Sequence, residues 1–321
     1  MAHLNGGYAY SEELGAAAAA RNVVEYLVQR YPSAGYEEWL TRVISGRVLL
    51  NGIPASPDAI LLPGQKLVWR RPPWEEPEVP LAFAVLYHDE FLLAVAKPTG
   101  LPTTPGGGLF MENTLLTLVR RRYSDANPLH RLGRGTSGAV LFARAPGTFA
   151  KVSQAWSRRE VLKRYRVLVV GSPATDEFDI DVPIGKVPHT FLKTVHAAVP
   201  DNDVTAKTAQ SHVRVLERRG DHSLVDVQIV TGRPHQIRIH MAAAGHPLVG
   251  DPLYGLGGIP LTGSQIPPGG VGYFLHSAFL GFSHPVTKKW IEITCFPPPI
   301  LRTTIQTHKE VPTSLNKSGV Y

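Results

Sequence analysis

The chain has 321 residues, 43% of them hydrophobic and 18% charged. That length suits about two domains, and that apolar content excludes a disordered protein. The formal net charge of +7 favours an anionic partner, nucleic acid first among them. A single cysteine, Cys295, excludes an intrachain disulfide and a thiolate zinc site. Its setting, WIEITCF, reads as a buried strand.

Residues 1–15 contain Gly and Tyr without a clear period and read as a flexible arm. The run Ala16–Ala20 is not a signal peptide, because Glu12 and Glu13 precede it where positive charge is expected. No stretch is long and apolar enough to span a bilayer, so the expected setting is cytoplasmic. Val23, Val24, Leu27 and Val28 fall at helical spacing and predict a helix over 16–31. Trp39, Leu40, Val43 and Ile44 predict a second over 36–45, closed by Gly46. RVLLNG and AILLPGQKLVW follow as strands with turns at Asn51-Gly52 and Pro63-Gly64. Residues 71–84 begin RPPWEEPEVP, which propagates neither a helix nor a central strand, and form the expected linker.

From Val85 the pattern turns strand-rich. FLLAVAK (91–97), AVLFARA (139–145), YRVLVVG (165–171) and SLVDVQIV (223–230) are predicted strands. In the last, Val225, Val227 and Ile229 alternate with Asp226 and Gln228, which predicts one wet face. Phe149, Val152 and Trp156 stripe a helix over 147–160, and a shorter helix fits 236–244. Residues 255–272 are a Gly/Pro loop, and 302–321 read as a polar tail.

HRLGRGTSG, at 130–138, contains Gly133-x-Gly135-x-x-Gly138, the glycine pattern of dinucleotide-binding loops. That fingerprint requires an apolar strand before it and a helix after it. Here SDANPLHRL precedes and AVLFARA follows, so the context fails on both sides. A nucleotide-cofactor enzyme is therefore a distant alternative.

The same segment, with others, resembles the RluA-type family of RNA pseudouridine synthases. VLYHDEFLLAVAKPTGLPTTPG (85–106) resembles the family's entry strand and lysine-proline loop. EVLKRYRVLVVG matches its Lys-x-Tyr motif, TGRPHQIRIHMAAAGHPLVGDPLYG (231–255) its longest signature, and FLHSAFLGFSHPVT (274–287) its closing strands. ISGRVLLNG and LLPGQKLVW resemble an S4-type RNA-binding domain. The resemblance implies an α+β fold, with a mixed, mainly antiparallel sheet in a catalytic domain over 85–301 and a small α/β S4-like domain over 16–70. It implies isomerisation of uridine to pseudouridine in RNA, rRNA or tRNA, with no cofactor and no obligate protein partner. The base is detached from the ribose, turned and rejoined through carbon, after the nucleotide leaves its stack.

The resemblance also assigns roles. Arg131 takes the position that helps to extrude the nucleotide, as a planar, permanent cation can. Tyr165 is the tyrosine that packs against the uracil, and Arg238 the arginine that pairs with the catalytic aspartate. His130, Thr136, Arg233 and His235 are expected to contact substrate. His235 and His240 sit five apart with no carboxylate between them, which argues against a metal site. Asp251, in GDPLYG, reads as a turn-former.

One departure matters. The family aspartate should follow Arg131-Leu132, where this chain has Gly133. Glycine is neither nucleophile nor base. Either another carboxylate reaches the pocket, with Asp125 and Asp251 as candidates, or the protein binds RNA without chemistry, or it runs another reaction.

Overall fold

The computed structural model describes residues 4–32, 34–106, 108–266 and 269–307. The chain divides into two compact units, Met1–Pro77 and Glu78–Tyr321, so the division falls within the Pro/Glu-rich segment.

In the first unit, strands β1 (Tyr8–Glu13), β2 (Val48–Leu50), β3 (Ile53–Pro54) and β4 (Lys66–Arg71) form a sheet in the order β1-β4-β2-β3. Helices α1 (Val23–Arg30) and α2 (Tyr36–Ile44) precede β2. Asn22 caps α1 by accepting from the Glu25 N–H, which satisfies one orphan donor of the first turn. Val23, Val24, Leu27, Trp39, Val43 and Leu67 form the core. The flexible arm expected at 1–15 is corrected here: Tyr8–Glu13 pairs antiparallel with β4 along its whole length. Its side chains alternate, so Tyr10 stacks on Trp69 at 4.9 Å; alternation of small and polar residues with tyrosines hid the strand from a hydrophobic-period reading.

The second unit is built on a ten-stranded sheet among the described residues. Its strands are β5 (Ala84–His88), β6 (Leu92–Lys97), β7 (Asn127–Pro128), β8 (Ser137–Ala143), β9 (Leu162–Val170), β10 (Glu177–Ile180), β13 (Ser211–Arg218), β14 (His222–Ile229), β15 (Leu275–Ser283) and β16 (Trp290–Thr294). The main path runs β10-β13-β14-β9-β15-β8-β6-β5. Strands β11 (Ile184–His189) and β12 (Lys193–Ala198) form a separate hairpin. Helices α3 (Leu115–Arg120), α4 (Thr148–Ser157) and α5 (Gln236–Ala243) join these strands, and α6 (Thr304–Thr307) follows the last. The sheet is mixed and mainly antiparallel, with few helices.

One junction departs from the antiparallel rule. β15 meets β8 in parallel, through His276 opposite Ser137 and Ser277 opposite Gly138. The two halves of the sheet join at this short seam, beside HRLGRGTSG. Gly138 has φ +115°, and a Cβ there would lie 2.3 Å from the Ser277 carbonyl oxygen. Only glycine tolerates both the backbone conformation and the approach.

Two further expectations are corrected. The face of β14 that carries Asp226 is not wet: Asp226 is 8% exposed. Leu301 packs on Leu168 and Leu224, and Arg166 on the neighbouring strand donates to Gln306. The chain after β16 thus covers that face. Gln306 belongs to the expected polar tail over 302–321, of which 308–321 lie outside the described residues. Cys295 is buried, as its sequence setting suggests.

Among the buried histidines of this unit, His240 is 0% and His276 3% exposed. Burial pushes both imidazoles down to about 4, from about 6.5 in an open chain. Between those values the unfolded chain binds more protons than the folded one, so stability is full above pH 6.5 and falls as pH drops toward 4. Thermal melts from pH 7 to 4.5 should show a declining Tm, with a shallower decline in His240→Gln. Separately, Gly138→Ala should cost about 2 kcal/mol or more through strain at the seam, read as a lowered Tm at pH 7.

Candidate active site

The loop 130–136 precedes β8 and is clamped by the lysine-proline segment after β6. Thr103 Oγ1 donates to the Leu132 carbonyl at 2.8 Å and accepts from its N–H at 3.1 Å. Thr99 Oγ1 donates to the Gly135 carbonyl, and the Gly100 N–H to that of Arg134, both at 2.8 Å. Lys97, 2% exposed, donates to the carbonyls of Pro98 and Leu101 at 2.9 and 2.6 Å. Burial pushes its ammonium down to about 7. The bonds from Thr99, Gly100 and Thr103 hold the loop backbone, which is what a positioned side chain such as Arg131 requires.

A cavity of about 110 Å³ opens beside this loop. Arg131, Gly133, Thr136, Tyr165, Arg233, His235, Arg238 and Tyr273 all line it, with Leu132, Ile229 and Leu275 among its apolar walls. Residues from β9, α5 and the start of β15 therefore meet the loop at one place. A larger apolar cavity of about 860 Å³ shares Tyr273 and Leu275 as its wall, but Arg131, Tyr165 and Arg238 do not line it. The smaller cavity is where polar groups converge, which marks a binding site better than size alone.

Its residues differ in exposure. Arg131 is exposed and has no hydrogen-bond partner among the described residues, so its guanidinium is available at the mouth. Tyr165 is 8% exposed, and burial pushes its hydroxyl up to about 12; it is neutral at physiological pH. Arg233 donates to the Thr208 carbonyl at 2.9 Å. His235 sits at φ +56° as the residue before α5, an uncommon conformation for a side-chain-bearing residue. Tyr254 OH donates to the His196 carbonyl at 2.8 Å. It therefore accepts from His235 Nδ1 at 2.7 Å, and His235 Nε2 is left without the proton. Burial, then Arg238, pushes that imidazole down to about 3.

Arg238 is the fixed centre. Its side chain is 2% and that of Asp251 1% exposed. Arg238 Nε and Nη2 each donate to an Asp251 oxygen at 2.7 Å, a bidentate pair. Asp251 Oδ1 also accepts from the N–H groups of Leu253 and Tyr254 at 2.9 and 3.0 Å. Asp251 does form the turn expected of it, and it also supplies the anion that Arg238 needs. The guanidinium lies 4.8 and 4.3 Å from the ring centres of Tyr254 and Tyr273.

The sequence expectations thus divide. The structure brings together Arg131, Gly133, Thr136, Tyr165, Arg233, His235 and Arg238. It does not bring His130 into the cavity. That ring stacks on Trp156 at 4.7 Å, and its Nε2 accepts from the Leu141 N–H at 3.0 Å, so it braces β8 from behind. Asp125 is held by Arg144 at 3.2 Å, with its side chain 43% exposed, away from the cavity. His240 bonds Ser211 Oγ and the Val182 carbonyl, which accounts for both ring nitrogens. No Asp or Glu is among the described residues lining the cavity.

Sequence reasoning missed Tyr273, which is 5% exposed. A Cβ at Gly133 would lie 3.3 Å from Tyr273 OH and 3.7 Å from Thr136 Oγ1. A Cβ at Gly135 would lie 2.9 Å from Tyr273 Cζ. The first two glycines of the misleading fingerprint seat a phenol ring. The available signal was those two glycines facing an aromatic that follows a glycine-rich loop.

Removing one partner of the central pair leaves a buried charge. Asp251→Ala should therefore cost about 3–5 kcal/mol, measured by chemical denaturation, whereas Asp125→Ala should change stability by less than about 1 kcal/mol.

Comparison with known proteins gives the family. The sequence pattern described as RNA pseudouridylate synthase matches residues 91–243. An uncharacterised RNA pseudouridine synthase of Synechocystis is 39% identical over 88% of this chain and 96% of its own. RNA pseudouridine synthase 5 of Oryza sativa is 36% identical over 89% of this chain and 85% of its own. Among solved structures, human RNA pseudouridylate synthase domain containing 1 superposes with a TM-score of 0.55 at 25% identity, over 70% of this chain and 87% of that one. With the mainly antiparallel sheet and the convergence of loop, tyrosine and arginine on one cavity, these likenesses place the chain in the RNA pseudouridine synthase family.

Proposed function

We propose that the second unit isomerises uridine to pseudouridine in rRNA or tRNA, with no cofactor, and that the cavity beside Gly133 receives the extruded base. The observation that carries this is the convergence of Arg131, Tyr165 and Arg238, from three separate segments, on one small cavity. An apolar wall of Leu132, Ile229 and Leu275 suits the face of a pyrimidine. Exposed Arg131 pairs with phosphate or stacks in the gap the base leaves. Buried, neutral Tyr165 packs against the uracil. Arg233, Thr136 and His235 supply hydrogen bonds to the nucleotide at the rim and wall. Arg238, neutralised by Asp251, orients the wall of the pocket without attracting a phosphate into it. The S4-like first unit adds RNA affinity.

The absence of a lining carboxylate favours a second reading, an RNA-binding protein of this fold without chemistry. One experiment separates the two. Total RNA from cells lacking the protein is incubated with the full-length chain and pseudouridine is mapped chemically. At least one new site is expected; none with any RNA fraction, despite salt-sensitive binding, leaves the second reading. Affinity should fall as salt rises, because basic side chains release counterions from phosphate. In the active protein, Arg131→Ala should lower pseudouridine formation at least tenfold while leaving the Tm within a degree or two, since the side chain is exposed.

A further inference from the structure

The structure assigns to Tyr273 the work at the ribose that a carboxylate on residue 133 would do: its phenol oxygen is the pocket's nucleophile. This rests on the reading of the cavity as a uridine isomerase site. A carboxylate on residue 133 would offer C1′ an oxygen, so oxygens are the candidates to take its place. The side-chain oxygens on the cavity wall belong to Thr136, Tyr165, Gln236 and Tyr273. Gln236 Oε1 is committed to Thr231 and the Arg233 N–H. Tyr165 lies opposite Ser277 in the sheet register, on the strand wall rather than the loop. Tyr273 OH stands 3.3 Å from where the Gly133 Cβ would be. The missing side chain and this hydroxyl therefore claim one space.

Its surroundings suit the task. Thr136 Oγ1 is 3.3 Å from Tyr273 OH, close enough to steer the phenol proton. The Arg238 guanidinium lies 4.3 Å from the ring centre and, held by Asp251, gives the ring a fixed face to pack on. The ring lies against Gly135: together with the Gly270 carbonyl it leaves no room for a Cβ there. Tyrosine is a known type of covalent nucleophile, including at sugar carbons.

The step balances without an added reagent. Tyr273 Oη bonds to C1′ as the C1′–N1 bond breaks, and the phenol proton passes to the departing uracil. The uracil turns, C5 bonds to C1′ and the C1′–Oη bond breaks. The hydrogen on C5 leaves as a proton and restores the phenol, so the enzyme ends as it began.

The test uses the full-length chain and the RNA fraction in which it forms pseudouridine. Tyr273→Phe should lower kcat at least a hundredfold, with RNA affinity within twofold and an unchanged far-ultraviolet circular dichroism spectrum. Gly133→Asp with Tyr273→Phe removes the competing hydroxyl and restores a carboxylate, and should regain at least tenfold over Tyr273→Phe. A fluorotyrosine at 273 keeps the shape, so a folding defect does not intervene. It makes this phenol alone more acidic, beside Arg238, Asp251, His235 and Tyr165, and should move the kcat–pH profile to lower pH. Wild-type activity that survives Tyr273→Phe within threefold, or a fluorotyrosine profile that matches the wild type, overturns the assignment and leaves the isomerase reading standing. A wild-type chain that forms no pseudouridine overturns the isomerase reading itself.

Discussion

The buried pair of Arg238 and Asp251 is the constraint around which the site is arranged. Two desolvated charges are tolerable only with good geometry and with their remaining hydrogen-bonding capacity met. Both conditions hold: two bonds of 2.7 Å join them, and two backbone N–H groups bind the carboxylate again. The pair ties α5 to the turn after it and presents the guanidinium face to Tyr254 and Tyr273. Because its charge is already neutralised, the arginine needs no aspartate from the loop at 133. That removes the energetic objection to a glycine there.

The second constraint is the parallel seam. Antiparallel neighbours can be joined by a hairpin, but a parallel contact needs two distant segments brought together. Here β15 supplies both sides of the meeting. Ser277 opposes Gly138 on one flank and Tyr165 on the other, so one residue of β15 indexes the loop against the tyrosine. His276 adds a side-chain tie. Its Nε2 bonds the Cys295 carbonyl at 3.0 Å and so carries the proton; Nδ1 therefore accepts from Ser137 Oγ at 2.9 Å. The tie needs an imidazole that stays neutral, and burial keeps it so.

Much of this was legible in the sequence. The helical spacing of Val23 to Val28 and of Trp39 to Ile44 located α1 and α2, and the apolar runs located β6, β8, β9 and β14. Motif resemblance named Arg131, Tyr165 and Arg238, which the fold gathers. What was illegible shares one cause: it depends on which distant segment covers a residue. Asp226 reads as wet because its strand alternates, yet the segment around Leu301 lies over it. Asp251 reads as a turn-former because that local role is real and masks the ion pair. His130 adjoins Arg131 in sequence, yet points to the opposite side of the loop. Tyr273 follows a loop without periodicity, so no local pattern marks it.

Seating a phenol between Gly133 and Gly135 has an evolutionary corollary. An acidic side chain at 133 and a tyrosine at 273 are competing tenants of one volume, so neither changes freely while the other stays. A chain that exchanges one of the two alone is either crowded or empty at that spot. The two positions should therefore have been exchanged as a linked pair, leaving coordinated variation between sites 140 residues apart in sequence.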